Sequence, residues 1–525
     1  MRSSIAALLS VFAGYVSLSQ EILWFRLISY ATGGSPFAFA HLLGGFLIGL
    51  AIGAFAATEL SKSRRYPLSV MLAALFIASG LTAFFTVPAT ASMFNLIGEG
   101  ARYYSYAAVA LVALPSGLIF PLLCHCAIDS FGAVGLSMSW LYLCNVVGAS
   151  LGPLVTTFVL MDVLPFASIV VIVCCAAFLA ASLCLLALPS RALERALVFG
   201  AVVAAAASVL KFEPPLYALL FEKLHFKQEM SAERPYRILN ESRSGVVAVG
   251  GVEGDDIIYG GGIYDGAFNV DPLKNSNGIW RAYMVGSLHR KPERVLEVGL
   301  SSGSWTRVLA SHPAVRELTV VEINPAYEAI LKAYPLQSTV LSDPKITIHI
   351  DDGRRWLNRN PQRKFDLIVV NNTFHWRSDS TQLLSQEFLR ICQSHLNPGG
   401  VIYLNTTGSA DVRFTVAKTF LHQVAVGNFV AASDAPFDLT VEERRRNTLA
   451  YELPSGEEVN SASREALSRL ADKPLVDDAA ELRTRTDLRI VTDDNMATEF
   501  KSDWVFFDSQ RSWSRLLARM SRAGM

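Results

Sequence analysis

Two patterns of apolar and polar positions divide the chain. Between residues 1 and 210 long apolar runs are interrupted only by short polar stretches. Crossing a hydrocarbon core as a helix takes about 20 apolar residues, and seven runs reach that length, near 5–30, 34–59, 68–90, 104–128, 134–161, 166–188 and 193–211. From about residue 231 charged residues become frequent and the apolar runs shorten to strand or helix length. From residue 294 short β-rich runs alternate with helical stretches, as a doubly wound parallel sheet requires. The strands read Arg294 to Val298, Leu318 to Ile323, Ile346 to Ile350, Phe365 to Asn371 and Val401 to Asn405, preceded by an antiparallel hairpin over Val246 to Gly251 and Asp256 to Tyr259. The expected organisation is a membrane domain of about seven transmembrane helices over 1–211, a surface linker over 212–244, a small β region over 245–290 and a Rossmann-like α/β domain over 291–525.

Several features refine the helical part. Gly45, Gly49 and Gly53 recur every fourth residue and Gly148 and Gly152 repeat the spacing, which places small residues on one face where helices can approach closely. Ionisable groups within a span are costly, so Glu21, Arg26 and His41 call for either a polar cluster or an Arg26 that reaches the interface with Glu21 as its partner. Lysine and arginine counts put Arg2, Lys62, Arg64, Arg65, Arg191 and Arg195 on the N-terminal side and little besides Arg102 on the other. The positive-inside rule then sets the N-terminus in the cytoplasm of a cell with a multi-pass inner-membrane protein, and an odd number of spans carries the α/β domain to the extracytoplasmic side. The first apolar stretch is too long for a cleavable signal and is followed by further spans.

Composition narrows the functions. A formal net charge of zero argues against a nucleic-acid surface. Of seven cysteines only Cys392 lies in the α/β part, so no disulfide framework exists there, and Cys124-His125-Cys126 is too tightly spaced for a structural zinc site. No metal is expected. The partners expected are the lipid bilayer and a small-molecule or lipid substrate, with homo-oligomerisation left open.

The candidate chemistry lies at the strand ends. The first strand closes in Glu297-Val298-Gly299-Leu300-Ser301-Ser302-Gly303 and enters a helix, where glycines admit a ligand to the backbone. The second strand ends at Glu322, 23 positions after Gly299, where a carboxylate can accept both ribose hydroxyls. Asp351-Asp352-Gly353 ends the third, to meet an adenine amine or to cap a helix. After the fourth stands Asn371-Asn372-Thr373-Phe374-His375-Trp376-Arg377, with His375 as a base, Arg377 as an anion clamp and Trp376 as a stacking surface, or as a loop anchored on the membrane part. Thr492-Asp493-Asp494-Asn495 is either a supplier of carboxylates to the pocket or a capped turn, and residues 504–520 read as an amphipathic helix.

With Tyr264-Asp265-Gly266, Val295 to Gly303, Val320 to Asn324, Asp351 to Gly353 and Phe365 to Asn371, the segment 245–500 resembles the spermidine synthase group of the class I S-adenosylmethionine-dependent methyltransferase-like fold. It is more specifically similar to membrane-fused spermidine synthase-like proteins. The resemblance implies a pocket for S-adenosylmethionine or its decarboxylated form, lined by Glu297, Gly299, Ser301, Ser302, Gly303, Glu322, Asp351 and Asp352. Asn371, His375 and Arg377 would stand at the reacting end, with Tyr264, Asp265, Asn372, Thr373 and Trp376 toward the substrate. The departures are specific: Ser302, Asn371 and Phe374 stand where the family carries aspartates. Asparagine cannot act as a general base, so either a transferase of altered chemistry or a non-catalytic binding or transport-associated protein is expected.

Overall fold

The structure is a computed structural model describing residues 3–62, 67–128, 134–187, 191–230, 235–252, 254–372, 374–452, 461–496 and 498–500. The described residues form two compact units, one comprising those of Met1–Pro235 with Glu241–Gly245, the other Tyr236–Asn240 with those from Val246 to residue 500.

The first unit is helical. Six apolar helical stretches are long enough to span a membrane. The third, Leu68–Ala127, holds two helices, because a one-turn 3-10 segment at Gly98–Gly100 separates α3 (Leu68–Ile97) from α4 (Ala101–Ala127). Pro115 and Pro121 are accommodated inside α4. The remaining helices are α1 (Ser3–Ala31), α2 (Phe37–Lys62), α5 (Val134–Val155, continued by a π turn at Thr156–Leu160), Phe166–Ala187 and Ala192–Tyr217.

The glycines of α2 and α5 lie in helix contacts. A methyl group at Gly49 or Gly53 would run into the carbonyl oxygens of Ala110 or Leu114 on α4, and one at Gly45 would press on Val109 at 3.1 Å. Gly148 and Gly152 meet the backbones of Val11 and Tyr15 on α1 in the same way. Without a hydrophobic drive between helices, such close approach lets dispersion contacts and interhelical hydrogen bonds hold the pair. Ser10 accordingly donates to the Leu141 carbonyl (2.7 Å) and Thr156 to Ser19 (3.1 Å). Cys124 packs with Ala6 and Leu141.

The ionisable groups of the apolar helices form neither the polar cluster nor the Arg26–Glu21 pair that the sequence offered. Arg26 pairs with Glu241 (3.9 Å) and donates to the Ser242 carbonyl (2.7 Å), so its carboxylate partner is Glu241, not Glu21. His41 instead stacks on Tyr106 and shares a 3.0 Å hydrogen bond with Ser105. The expected linker is also different: residues 212–217 continue a helix through Pro214 and Pro215, and Leu220–Phe226 forms another, with Tyr217 donating to the Phe84 carbonyl at 2.9 Å and Phe221 packed edge-on against Tyr30. Arg64, Arg65 and the stretch 504–520 lie outside the described residues.

The second unit holds two sheets. The smaller has four strands in the order β1 (Ile238–Ser242), β2 (Gly245–Val252), β3 (Asp255–Gly260), β4 (Ile263–Ala267). The larger has seven: β5 (Arg294–Val298), β6 (Glu317–Glu322), β7 (Ile346–Ile350), β8 (Phe365–Val370), β9 (Leu396–Asn405), β10 (His422–Val426) and β11 (Phe429–Ser433). Their order is β10-β11-β9-β8-β5-β6-β7, with β9, β8, β5, β6 and β7 mutually parallel and β11 antiparallel to both neighbours. Covered on both faces, the central strands β5 (RVLEV) and β8 (FDLIVV) are near-continuous apolar runs. The five parallel strands match the sequence reading. The β10–β11 hairpin and strands β1 and β4 were not anticipated.

The strand order reverses direction between β5 and β8, since β6 and β7 lie on one side and β9 on the other. Ligands of open α/β sheets bind at that crevice, beyond the carboxyl ends of the strands.

Candidate functional site

At the end of β5 the chain turns through Gly299 (φ 98°), Ser301 (φ 49°) and Gly303 (φ 70°). These left-handed conformations suit glycine. A side chain at Gly299 would also press on the Asn371 carbonyl oxygen at 2.9 Å, because Asn371 extends β8 alongside by donating to the Val298 carbonyl (3.1 Å). The serines of the loop face the small sheet. Ser301 donates to the Asp265 carbonyl (2.7 Å), and Ser302 and Ser304 both donate to the Ala267 carbonyl (2.8 and 3.0 Å). The loop is thereby fastened to β4, and the two serine hydroxyls expected at a cofactor are engaged by backbone.

Glu322 ends β6 with only 5% of its surface exposed. Its carboxylate accepts from the N–H groups of Leu300 (2.9 Å) and Asn324 (2.8 Å), which fixes its orientation and leaves further lone pairs for a ligand. Burial pushes the carboxyl up to about 7, while those N–H groups pull it back and the charge of Asp265 adds to the rise. Ile323, next in the chain, and Ile350, which pairs with Glu322 in the sheet, are 61% and 43% exposed. Glu297, by contrast, is fully buried beneath the loop, and burial raises its carboxyl to about 8. It supports the loop from below.

The third strand end is built for structure. Asp352 caps the helix Gly353–Arg359 by accepting from the Arg355 N–H (2.7 Å), and Asp351 is held by Arg355 and by Arg359 at 3.5 Å. Neither acid stands unpaired toward an adenine. Thr492 to Asn495 is the capped turn, with reciprocal side-chain bonds between Thr492 and Asn495 (3.1 and 3.3 Å) and Asp493 docked in bidentate fashion on Arg354 (2.6 and 2.7 Å).

The loop after β8 sends its side chains to different neighbours. Phe374 and Trp376 stack on each other, centroids 5.3 Å apart, and pack on Ile263, which anchors the loop to β4. His375 turns to the end of β9, where its Nδ1 shares a 2.6 Å hydrogen bond with the Thr407 hydroxyl, and burial lowers its basicity. Asn372 is reached by Asn405, which also ties Thr407 and Asn428 together. Below the loop the buried Glu499 accepts from the N–H groups of Thr381 (2.9 Å) and Asp379 (3.2 Å), and Thr498 donates to the His375 carbonyl (3.2 Å). Thr373 lies outside the described residues.

Arg377 joins a different group. The β3–β4 turn runs through Gly260, Gly261 and Gly262, and side chains from three elements lie against it. A methyl group at Gly261 would be 2.6 Å from an Arg377 Nη atom, and one at Gly260 would run into the Tyr327 hydroxyl and sit 3.3 Å from the Asp265 carboxylate. Tyr327 hydrogen-bonds to Asp265, and the Arg377 guanidinium favours the ionised carboxylate while burial opposes it. Burial dominates and raises the Asp265 carboxyl. Burial raises the hydroxyl of Tyr264, the preceding residue of β4, well above the usual range, against the pull of Arg281. The site therefore brings together Glu322, Asp265 and Arg377, adds Tyr327, which the sequence reading missed, and leaves His375 in a separate network. The triple glycine ahead of Tyr264-Asp265 was the available signal, because side chains at those positions would displace the polar heads.

Residues 282–430 match the family model of the Spermine/spermidine synthase domain. This segment is a spermidine synthase-type domain. It contains the Gly299–Gly303 loop, Glu322, Tyr327 and the whole loop from Asn371 to Arg377, while Asp265 lies ahead of the matched residues. The polyamine aminopropyltransferase of Leptospira biflexa is 34% identical over 115 residues, 22% of this chain and 40% of that protein. Polyamine aminopropyltransferase 1 of Pseudomonas aeruginosa is 30% identical over 159 residues, 28% of this chain and 54% of that protein. The chain thus spans about half the length, or less, of these curated relatives. The solved spermidine synthase of Thermotoga maritima aligns at 18% identity and a TM-score of 0.35, covering 46% of this chain and 84% of that one.

Proposed function

We propose that the protein is a membrane-embedded transferase whose spermidine synthase-type domain binds a sulfonium nucleoside, S-adenosylmethionine or its decarboxylated form, and transfers an alkyl or aminopropyl group to an amine. The observation that carries the reading is Glu322. It is buried at the end of β6 and oriented by two backbone N–H groups, one of them in the glycine loop of left-handed backbone that follows β5. A carboxylate fixed in that way suits the two hydroxyls of a ribose.

The nucleoside supplies an electrophilic carbon next to a cationic sulfur. The amine nitrogen forms a bond to that carbon, the carbon–sulfur bond breaks, the sulfonium becomes a neutral thioether, and the amine sheds one proton. Asn371 has no basic lone pair for that proton. Asp265 does: its carboxylate lies against the β3–β4 turn beside the Tyr327 hydroxyl, and burial raises its affinity for a proton. Tyr327 orients it through their hydrogen bond. His375 is assigned to holding the loop through Thr407.

Membrane embedding is supported by the apolar faces of α5 and the helix Ala192–Tyr217, where Leu136, Trp140, Leu151, Leu193, Leu197 and Val203 are all exposed. Patches of this extent are avoided at water-facing surfaces. Calorimetry on the full chain in nanodiscs tests the reading. Each sulfonium nucleoside is titrated into native protein and Glu322→Gln, with thermal unfolding as a check on folding. Loss of one charge-assisted contact predicts roughly 10- to 100-fold weaker binding. No heat with either nucleoside in the native protein refutes the proposal and leaves the non-catalytic alternative.

A further inference from the structure

We infer that Glu21 anchors a monovalent-cation site inside the helical unit, taking an alkali-metal ion or an organic ammonium. The inference goes beyond the proposed transfer chemistry and rests only on the membrane embedding of the helices. It starts from where the carboxylate stands. Glu21 lies ten residues before the end of α1 at Ala31, which is about 15 Å of helix and about half the thickness of a hydrocarbon core. Seven residues make nearly two helical turns, so Gly14 and Ile28 share its face, and both are buried. Ser17, one turn earlier on the same side, is buried as well. Glu21 therefore belongs to an inward face, yet it is itself only half-buried, which marks an opening in the bundle at its level.

Among the described residues nothing in the chain neutralises this carboxylate, which has neither an ion-pair nor a hydrogen-bond partner there. Arg26, the other charged side chain of α1, is taken up by Glu241 and the Ser242 carbonyl. Three helices that pack on α1, namely α3, α5 and Phe166–Ala187, contain no lysine, arginine, aspartate or glutamate. In α2 and α4 the charged residues Glu59, Lys62 and Arg102 stand in the terminal turns. The neighbouring amide donors are engaged elsewhere: Gln20 gives its Nε2 to the Ser79 carbonyl and hydroxyl (3.1 and 3.2 Å), and Asn145 gives its Nδ2 to the Ser10 carbonyl (3.3 Å). Oxygen acceptors are supplied instead by an irregular stretch of α5. Thr156, which donates to Ser19 two residues before Glu21, begins the π turn Thr156–Leu160, and Pro153 lacks the N–H that would bond the Ala149 carbonyl. Irregular backbone at membrane depth occurs where protein or a polar cavity covers it, π turns concentrate at functional sites, and carbonyls released by such breaks can coordinate a cation. An uncompensated charge at this depth is costly, and one positive charge beside Glu21 makes the site neutral. A divalent ion would leave it positive, and among the described residues no group of three or more acids, histidines or cysteines is placed to hold a metal ion.

Labelling by N,N′-dicyclohexylcarbodiimide, an apolar reagent that modifies carboxyl groups within the hydrocarbon region, tests the site in the full chain. The native protein in phosphatidylcholine nanodiscs is treated with the reagent in sodium, potassium or methylammonium chloride, with the bulky N-methylglucamine salt at equal ionic strength as the reference. Peptide mass spectrometry locates the label. Glu21 is expected to be modified in the reference salt. A cation at ten times its dissociation constant should slow that modification roughly tenfold by mass action. Protection by an alkali ion or by methylammonium supports the site, and the cation that protects at the lower concentration identifies the source. The protecting cation should also raise the melting temperature of the native protein and leave that of Glu21→Gln unmoved, a difference that a purely structural carboxyl would not produce. Modification of Glu21 at one rate in every salt, or no modification of Glu21 at all, overturns the inference. Extraction of the chain from membranes by alkaline carbonate refutes the embedding and the site with it, whereas a retained chain whose labelling ignores every cation refutes the site alone.

Discussion

Glu297 allows a quantitative test of how the Gly299–Gly303 loop is supported. Its side chain is fully buried on β5, and burial lifts its carboxyl from 4.5 to about 8, with the Thr306 hydroxyl opposing and the Glu322 carboxylate reinforcing the rise. A carboxyl with a higher pKa in the folded than in the unfolded state holds its proton more tightly when native. Its stabilising contribution is complete below about pH 4.5, shrinks as the pH rises, and is lost once the pH has passed about 8. At about 1.4 kcal/mol per pH unit the rise to about 8 caps the effect at about 5 kcal/mol. Relaxation around the buried charge reduces the working figure to roughly 2–4 kcal/mol. Glutamine has the same shape and does not ionise, so Glu297→Gln removes this slope and leaves the slope due to Glu322 in place. The melting temperature of the variant minus that of the native protein should rise by roughly 5–15 °C between pH 5 and pH 8.5, at 2–4 °C per kcal/mol. Thermal unfolding of the full chain in nanodiscs, followed at fixed scan rate by tryptophan fluorescence, measures it; Trp305 and Trp356 both lie in this unit. A constant offset at low pH, from the amide group itself, drops out of the comparison. Parallel pH profiles for the two proteins would refute the reasoning.

Two further expectations concern the helical unit. Gly49→Leu should abolish recovery of monodisperse protein in detergent, because its side chain would collide with the α4 backbone at Ala110, whereas Gly44→Leu, with nothing within 4 Å of an added methyl, should be recovered as the native protein is. Equal recovery of the two variants in size-exclusion chromatography would contradict the close-packed seam. If all seven long helices cross a bilayer, the N-terminus and the α/β domain are expected on opposite faces, with the N-terminus in the cytoplasm by the lysine and arginine distribution. Paired fusions of compartment-specific reporters at the two ends should therefore report opposite compartments; the same compartment for both would mean that one helix does not cross.

Periodicity made the framework legible and tertiary geometry hid the site. The strands β5 to β8 are long apolar runs because both sheet faces are covered, and their limits could be read within a residue or so. β10 (HQVAV) and β11 (FVAAS) are short and alanine-rich, so no run stands out; their pairing with each other and with β9 makes them strands. Glycine spacing predicted that α2 and α5 would each approach another helix closely, because such approach has a sequence period, but not that the partners are α4 and α1. Glu322 was legible for a similar reason, since the distance from a glycine loop to the next strand end is nearly fixed in a βαβ unit. What adjacency in sequence could not reveal is which way successive loop residues turn. His375 and Arg377 stand two apart, yet one goes to Thr407 and the other to Asp265. Tyr327 emerges from the helix Ala326–Leu331, and only the packing of that helix against the Gly260–Gly261 turn brings it to Asp265. Arg26 likewise finds its carboxylate in Glu241, 215 positions away and beyond the range of any local pattern.

The clamp formed by Glu499 on the N–H groups of Asp379 and Thr381 gives the reactive loop an order of assembly in time. At roughly 5–20 residues per second, the 118 positions between Thr381 and Glu499 take a ribosome roughly 6–24 s to add. During that interval the parallel strands can already pair, while the segment carrying His375 and Arg377 waits for the residues that hold it. The placing of this loop is therefore completed late in synthesis, after the long apolar helices and the sheet have been made.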